Sequence, residues 1–302
     1  MMFGLSEEFH YLECSACGCL QICEIPSDMS VYYPESYYSF VASPEDVFRG
    51  SMKNLVLARR NRYALTGGGL FGRWCYRRFP NETMRLIGLT NVEPDWRILD
   101  VGCGAGMILY SLRVSGYTHG LGLDPYLKKA MKYSNGLEIR KNSLNEIGGW
   151  WDLIMFHHSF EHMSDPIEQL KTVSQLLSSR GVCLIRIPTV SSFAWEHYGP
   201  NWVQIDAPRH FFLHSNRSLE IACRKAGLRI ERIVYDSDEF QFWGSEQVVK
   251  GIPLEDPRSL WRGRGNSMFS PSQIQEFKLR ARQLNGQRKG DQAAYFLRRI
   301  PS

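Results

Sequence analysis

Apolar runs and helix-period stripes alternate through the middle of the chain, and the alternation predicts strands and helices in strict succession. Ile98, Leu99 and Val101 make the first run, and Gly102, Gly104 and Gly106 follow it at every second position. Ile108, Leu109 and Leu112 then share one face of a helix over Ala105 to Ser115, where Gly116 is placed for a left-handed stop. Thr118 to Leu123 reads as the second strand, Leu137 to Arg140 as the third and Trp151 to Phe156 as the fourth. Asp165-Pro166 opens a helix with Leu170, Val173, Leu176 and Leu177 on one face, ending near Gly181. Val182 to Ile187 is the fifth strand, Leu228 to Tyr235 the sixth, and Glu239 to Trp243 a short seventh. Continuous apolar strands suit a sheet covered on both faces. The fold expected is α/β, a doubly wound, mostly parallel seven-stranded sheet with helices on both sides.

The flanks read differently. Ser43-Pro44-Glu45-Asp46 is a helix start, with a capping hydroxyl, a first-turn proline and acids near the positive helix end. That helix runs to about Leu65; Thr66 to Leu70 is a loop, and a second helix over Trp74 to Leu89 leads to a boundary at Pro94. Between Pro188 and Ser215 lies an insertion, residues 189–214, holding Phe193, Trp195, Tyr198, Trp202, Phe211 and Phe212. A loop of that length is a lid or a binding element. Further on, Ser272 caps a helix with Ile274, Phe277, Ala281 and Leu284 on one face, and Gly286 ends it. Four regions result: 1–42 with cysteines, 43–94 helical, 95–245 the core, and 246–302 a basic helical extension. Tyr32, Tyr33, Tyr37 and Tyr38 around Pro34 are packing or a lip over the pocket.

Composition adds constraints. With 302 residues and 43% hydrophobic content, the chain holds one sizeable core with appendages or two domains. It shows no signal-peptide pattern and no apolar run of membrane length, so a cytoplasmic location with reduced cysteines is expected. The net charge of +5 is uneven: residues 49–85 carry nine Arg or Lys against Glu82, and residues 258–302 carry ten against Glu276 and Asp291. These are solvated helix faces, or they steer an anionic or nucleotide-linked substrate. No nucleic-acid-binding module is recognisable.

A strand, a glycine turn and a helix N-terminus make a site for the anionic part of a nucleotide-like ligand. Asp124, roughly 20 residues past the turn, is placed to accept from ribose hydroxyls. A dinucleotide fingerprint would want glycine at 107, where this chain has Met107. The pattern present, Asp100-x-Gly-x-Gly-x-Gly, resembles motif I of the class I S-adenosylmethionine-dependent methyltransferases.

The resemblance implies a Rossmann-like fold and S-adenosylmethionine as cofactor. It assigns contacts to Asp100, Gly102, Cys103, Gly104, Gly106, Asp124 and Pro125, with Asn142, Ser143 and Leu144 in the loop that meets adenine, where the family often has an acid. His157, at the carboxyl end of the fourth strand, should face the methionine end. Glu161-His162 with Asp165-Pro166 resembles the post-strand motif of small-molecule methyltransferases, which implies that His162 orders the loop. Asn201-Trp-Val-Gln-Ile-Asp-Ala-Pro-Arg-His210 resembles the segment after the fifth strand in enzymes acting on sugars and quinones. Together these imply methyl transfer to a small hydroxylated metabolite, such as a sugar or polysaccharide precursor, on oxygen in preference to carbon. His210 is the first candidate base and His158 the second, since imidazole titrates in the right range. A nonenzymatic cofactor-binding scaffold of the same fold is the contrasting reading. The protein is expected to be a monomer or a homodimer.

Cys14-Ser-Ala-Cys17-Gly is half a zinc knuckle. A closed structural zinc site would need Cys19 or Cys23 as well, or a pair upstream of Met1; the alternative is a set of reduced, partly buried thiols. The histidines at 157, 158 and 162 look poor as a metal site, because neighbours on an extended chain point to opposite sides and no partner carboxylate is evident.

Overall fold

A computed structural model describes residues 7–33, 43–263 and 267–301. Pro34, Tyr37 and Tyr38 of the tyrosine-rich stretch, and the Met1-Met2 pair, lie outside the described residues. The chain enters through a hairpin of β1 (Tyr11–Glu13) and β2 (Leu20–Ile22). Helices α1 (Pro44–Val47), α2 (Ser51–Thr66), α3 (Leu70–Arg78) and α4 (Glu82–Gly88) follow. Two helices were expected here, and each is interrupted once. Gly50 at φ +99° breaks the first, and Asn81 starts α4 afresh by accepting from the Met84 N–H at 3.2 Å.

The central region runs β3 (Ile98–Val101), α5 (Met107–Val114), β4 (Gly120–Leu123), β5 (Met131–Lys132), β6 (Glu138–Arg140), β7 (Trp151–His157), α6 (Pro166–Leu176) and β8 (Leu177–Pro188). Then come α7 (Phe193–Tyr198), β9 (Phe212–Leu213), α8 (Asn216–Lys225), β10 (Leu228–Tyr235), α9 (Phe240–Val249), α10 (Pro271–Gly286) and β11 (Gln292–Arg299). The main sheet has eight strands rather than seven, in the order β10-β11-β8-β7-β3-β4-β6-β5. The five from β8 to β6 are parallel. Added to them are an antiparallel edge, β5, and the antiparallel β11, which lies between β8 and β10.

Three expectations are corrected. The apolar run Glu239 to Trp243 is not a strand but the start of α9, where Gln241, Phe242 and Trp243 are all buried, so its pattern carries no helical period. The extension 246–302 is not only helical, because β11 pairs with β8 from Gln292↔Pro188 to Leu297↔Cys183. Ser270, rather than Ser272, caps α10, in a box with Gln273 and with Pro271 in the first turn. In addition, α6 stops at Leu176 and β8 begins at once, earlier than Gly181 suggested.

Alternate residues of the central strands feed two cores. Leu99, Val101, Ile154, Phe156 and Ile185 meet Leu170 and Val173 of α6 and Leu219 of α8 on one face. Ile98, Leu153, Met155 and Leu184 meet Leu109 and Leu112 of α5 and Leu86 and Ile87 of α4 on the other. A second, smaller sheet, β1-β2-β9, ties the N-terminal hairpin to the insertion through Leu20↔Leu213. No helix among the described residues is long and apolar enough to cross a membrane.

Strand order places the site. From β3 the chain moves outward to β4 and β6, then returns to β7 on the other side of β3. The loops after β3 and β7 therefore diverge at a switch point, where open parallel sheets bind ligands.

Candidate functional site

The glycine turn after β3 is stitched to β4: the N–H groups of Gly102 and Cys103 both donate to the Leu123 carbonyl, at 2.7 and 3.1 Å. Gly102, Gly104 and Gly106 all have positive φ, at 73°, 54° and 78°. Room is short as well as φ special, since a Cβ on Gly106 would sit 2.5 Å from Ile139 Cδ1 and one on Gly102 would run into the Ser159 side chain. Ser159 belongs to the loop after β7, so the glycines bring the two diverging loops together.

Two acids stand beside this turn. Asp124 accepts from the Gly104 and Tyr126 N–H groups, each at 2.9 Å, through different oxygens. Burial raises its carboxyl above the usual range in spite of those two donors. Asp100, at the end of β3, is only 1% exposed; burial first, and Asp124 second, push its carboxyl up to about 7. Its Oδ2 is buried without a hydrogen-bond partner. One orphaned oxygen and the unused lone pairs of a second carboxylate are what a hydroxylated ligand over a glycine turn would satisfy, so these residues fit S-adenosylmethionine. Tyr33 stacks on Tyr126 at 5.3 Å, so the described end of the tyrosine stretch does cover this edge. Nearby, Leu144 is buried, and Ser143 donates through its N–H and its hydroxyl to Glu146, at 2.6 and 2.8 Å. Glu146 thus brings an acid to the loop of Asn142, Ser143 and Leu144.

A cavity of about 1010 Å³ opens on the other side of the β7 loop, lined among others by His158, His162, Trp195, Trp202, Gln204 and His210. The insertion that walls it is fixed and not a free flap. Trp202 is 1% exposed and donates from Nε1 to Asp291 Oδ2 at 3.0 Å, and the Phe211 N–H donates to the Glu161 carbonyl at 2.8 Å.

Three histidines surround one carboxylate at the junction. His158, at φ +53°, places Nδ1 3.6 Å from Glu161 Oε1. His162 Nδ1 lies 2.7 Å from the Arg209 carbonyl and His210 Nδ1 lies 2.7 Å from the Gln204 carbonyl. A carbonyl can only accept, so in both rings Nδ1 carries a hydrogen, and in the neutral form of either ring the lone pair is on Nε2. His210 Nε2 is 3.9 Å from Glu161 Oε1 and 3.7 Å from Asp206 Oδ2. Burial alone would raise Glu161, but His158, His162 and His210 outweigh it and hold its carboxyl at about 2. His210 is lowered to about 4, by burial and then by His162. Glu161 is thus held as a carboxylate beside the rings of His158, His162 and His210.

The structure brings together His158 and His210, far apart in sequence, and leaves His157 out. His157 ends β7 with both ring nitrogens buried and without partners. It does not line the cavity; burial, with Arg186 and His158, keeps it well below the usual histidine range. Glu161 was missed as a functional group, and its only sequence signal was its adjacency to His162.

The cysteines do not assemble as a closed knuckle. Cys14 and Cys17 are joined by a turn in which the Cys17 and Gly18 N–H groups donate to the Cys14 carbonyl, and hydrogen bonds from Cys17 lower the Cys14 thiol. Cys19 instead turns inward, 3.9 Å from His214 Nδ1, and burial raises it to about 11; Cys23 is exposed. Among the described residues, the one group of three or more His, Cys, Asp or Glu close enough to share a cation is Glu161, His162 and His210.

No curated protein sequence matches the chain. Among solved structures, a chain from the Haloferax volcanii complex that contains the Trm112 methyltransferase activator is similar at 14% identity and TM-score 0.48, over 80% of this chain and 98% of that one. An S-adenosylmethionine-dependent methyltransferase from Mesorhizobium loti aligns at 16% identity and TM-score 0.43, over 68% and 91%. One from Archaeoglobus fulgidus aligns at 19% and 0.41, over 84% and 96%. Residues 70–233 match the profile of the methyltransferase domain family, which is more than half of the chain. The chain therefore belongs to the methyltransferase domain family, as a class I S-adenosylmethionine-dependent methyltransferase.

Proposed function

We propose that the protein methylates an oxygen of a small hydroxylated metabolite, of the sugar or polysaccharide-precursor class, held in the cavity beside His158. Bound S-adenosylmethionine supplies a methyl group already activated on its sulfonium. The residues that would hold it are Asp100 and Gly102 to Gly106 at the turn, Asp124 and Pro125 at the ribose, and Asn142 to Leu144 at the adenine. His157, walled off from the cavity, contributes packing at that end and no contact with the acceptor.

The protein's own task is to align the acceptor and take its proton. One observation carries the reading: His158 lines the cavity with a side chain that is 32% exposed, and its Nδ1 lies 3.6 Å from the Glu161 carboxylate, which can steady the ring as it takes a proton. His210 is the weaker candidate, because it is deeply buried and its Nε2 faces Glu161 and Asp206. Trp195 gives the cavity a ring on which a sugar or similar acceptor can lie, and Gln204 a polar group to orient hydroxyls. The test is turnover with a panel of free and nucleotide-linked sugars, for wild type and His158→Gln. Loss of the base lowers kcat by about two to four orders of magnitude, while S-adenosylmethionine affinity is unchanged. Equal kcat in the variant removes the base role.

A further inference from the structure

The Glu161, His162 and His210 cluster has a composition that proton transfer does not require. Their donor atoms all lie within 4.8 Å of one another, one from each residue. Both imidazoles are held in the same tautomer by backbone carbonyls at 2.7 Å, which leaves each Nε2 lone pair free to bind. That arrangement, ring N–H to carbonyl and opposite nitrogen to the ion, is how metal-bound histidines are oriented. Glu161 is 0% exposed, and neither of its oxygens has a hydrogen-bond partner. A buried carboxylate without hydrogen bonds is an expensive arrangement unless positive charge compensates it.

We infer that Glu161, His162 and His210 bind a first-row divalent transition-metal ion at the floor of the acceptor cavity. Two imidazoles and one carboxylate suit zinc, manganese, iron or cobalt better than calcium or magnesium, which prefer all-oxygen sites. Three protein ligands leave a position open, and His162 and His210 both line the cavity, so that position faces it. There the ion would hold an oxygen of the acceptor and fix its orientation. This last role rests on the acceptor reading above; ion binding does not. Adjacent histidines on a chain diverge, but Glu161 supplies a carboxylate and the fold brings in His210 from 48 residues beyond His162.

Cobalt(II) is the probe. Titrated into the full chain, it should bind once per protein with weak visible absorption of a nitrogen and oxygen site and without the intense thiolate charge-transfer band. Binding should survive in Cys14→Ser/Cys17→Ser and weaken roughly tenfold or more in each of Glu161→Gln, His162→Gln and His210→Gln. S-adenosylmethionine binding by the same variants shows that they are folded; His162→Gln and His210→Gln keep the test decisive if Glu161→Gln does not fold. His158→Gln keeps all three ligands and should still bind one cobalt, so a failed base assignment and a failed metal site are told apart. Absence of cobalt binding, or binding lost with the two cysteines and kept in the histidine variants, overturns the inference.

Discussion

Asp100→Asn tests whether the motif carboxylate is held at a cost to the fold. In the unfolded chain Asp100 ionises near 3.8, and in the folded protein near 7. Between those values the native state holds a proton that the unfolded state has lost, so stability is greatest below the lower value and falls as pH rises to the upper one. A displacement of about three pH units sets a ceiling of about 4 kcal/mol, at 1.36 kcal/mol per unit. Asparagine has the same shape and no charge, which removes this slope. Its amide still places a polar atom where Oδ2 has no partner, and that returns about 1–3 kcal/mol. The variant should therefore exceed wild type by about 1–3 kcal/mol at pH 8 and lose that advantage at pH 4, while binding S-adenosylmethionine more weakly. Urea denaturation at the two pH values is the assay. Asp291, also raised to about 7, and His210 and His214, lowered to about 4, titrate in both proteins, so the difference between them isolates Asp100. A difference that does not change between pH 4 and pH 8 refutes the reasoning.

Two other substitutions examine the same turn. Asp124→Ala removes the anchor of the Gly104 and Tyr126 N–H groups together with the proposed ribose acceptor. Hydrogen bonds to a charged group are worth about 1.5–3 kcal/mol each, so calorimetry should show S-adenosylmethionine binding weakened about a hundredfold; unchanged affinity in a folded variant would discard the ribose contact. Gly106→Ala meets both a positive φ of 78° and Ile139 Cδ1 at 2.5 Å. Strain and overpacking together should lower stability by about 2–5 kcal/mol, and a melting temperature equal to wild type would show that the turn relaxes freely.

Local chemistry was legible in the chain and distant convergence was not. Asp100, the three glycines and Asp124 could be read because one strand, one turn and the next strand place them within 25 residues. The helix start at Asp165-Pro166 was equally local, and Asp165 does accept from the Glu168 N–H at 3.1 Å. The run at 239–243 misled because a segment buried on every side shows no period. Gln292 to Arg299 was overlooked because what makes it a strand is pairing with β8 and β10, whose partner residues are far away in sequence. His162 and His210 meet only because the insertion folds back on the β7 loop, with ring centroids 4.8 Å apart. Nothing near either residue encodes that return.

The position of β11 also governs the order in which the molecule can fold. Among the described residues, strand β10 is hydrogen-bonded to the sheet only through β11, which follows it by more than fifty residues. A nascent chain that has emerged as far as β10 already contains the glycine turn and the histidine-bearing loops, but β8 still presents an open edge. Pairing across so long a loop is slow, and an exposed edge strand is a template for the wrong partner. Until β11 arrives, the half-made sheet is exposed to association with its neighbours, and a chain cut anywhere before Gln292 would keep that edge permanently.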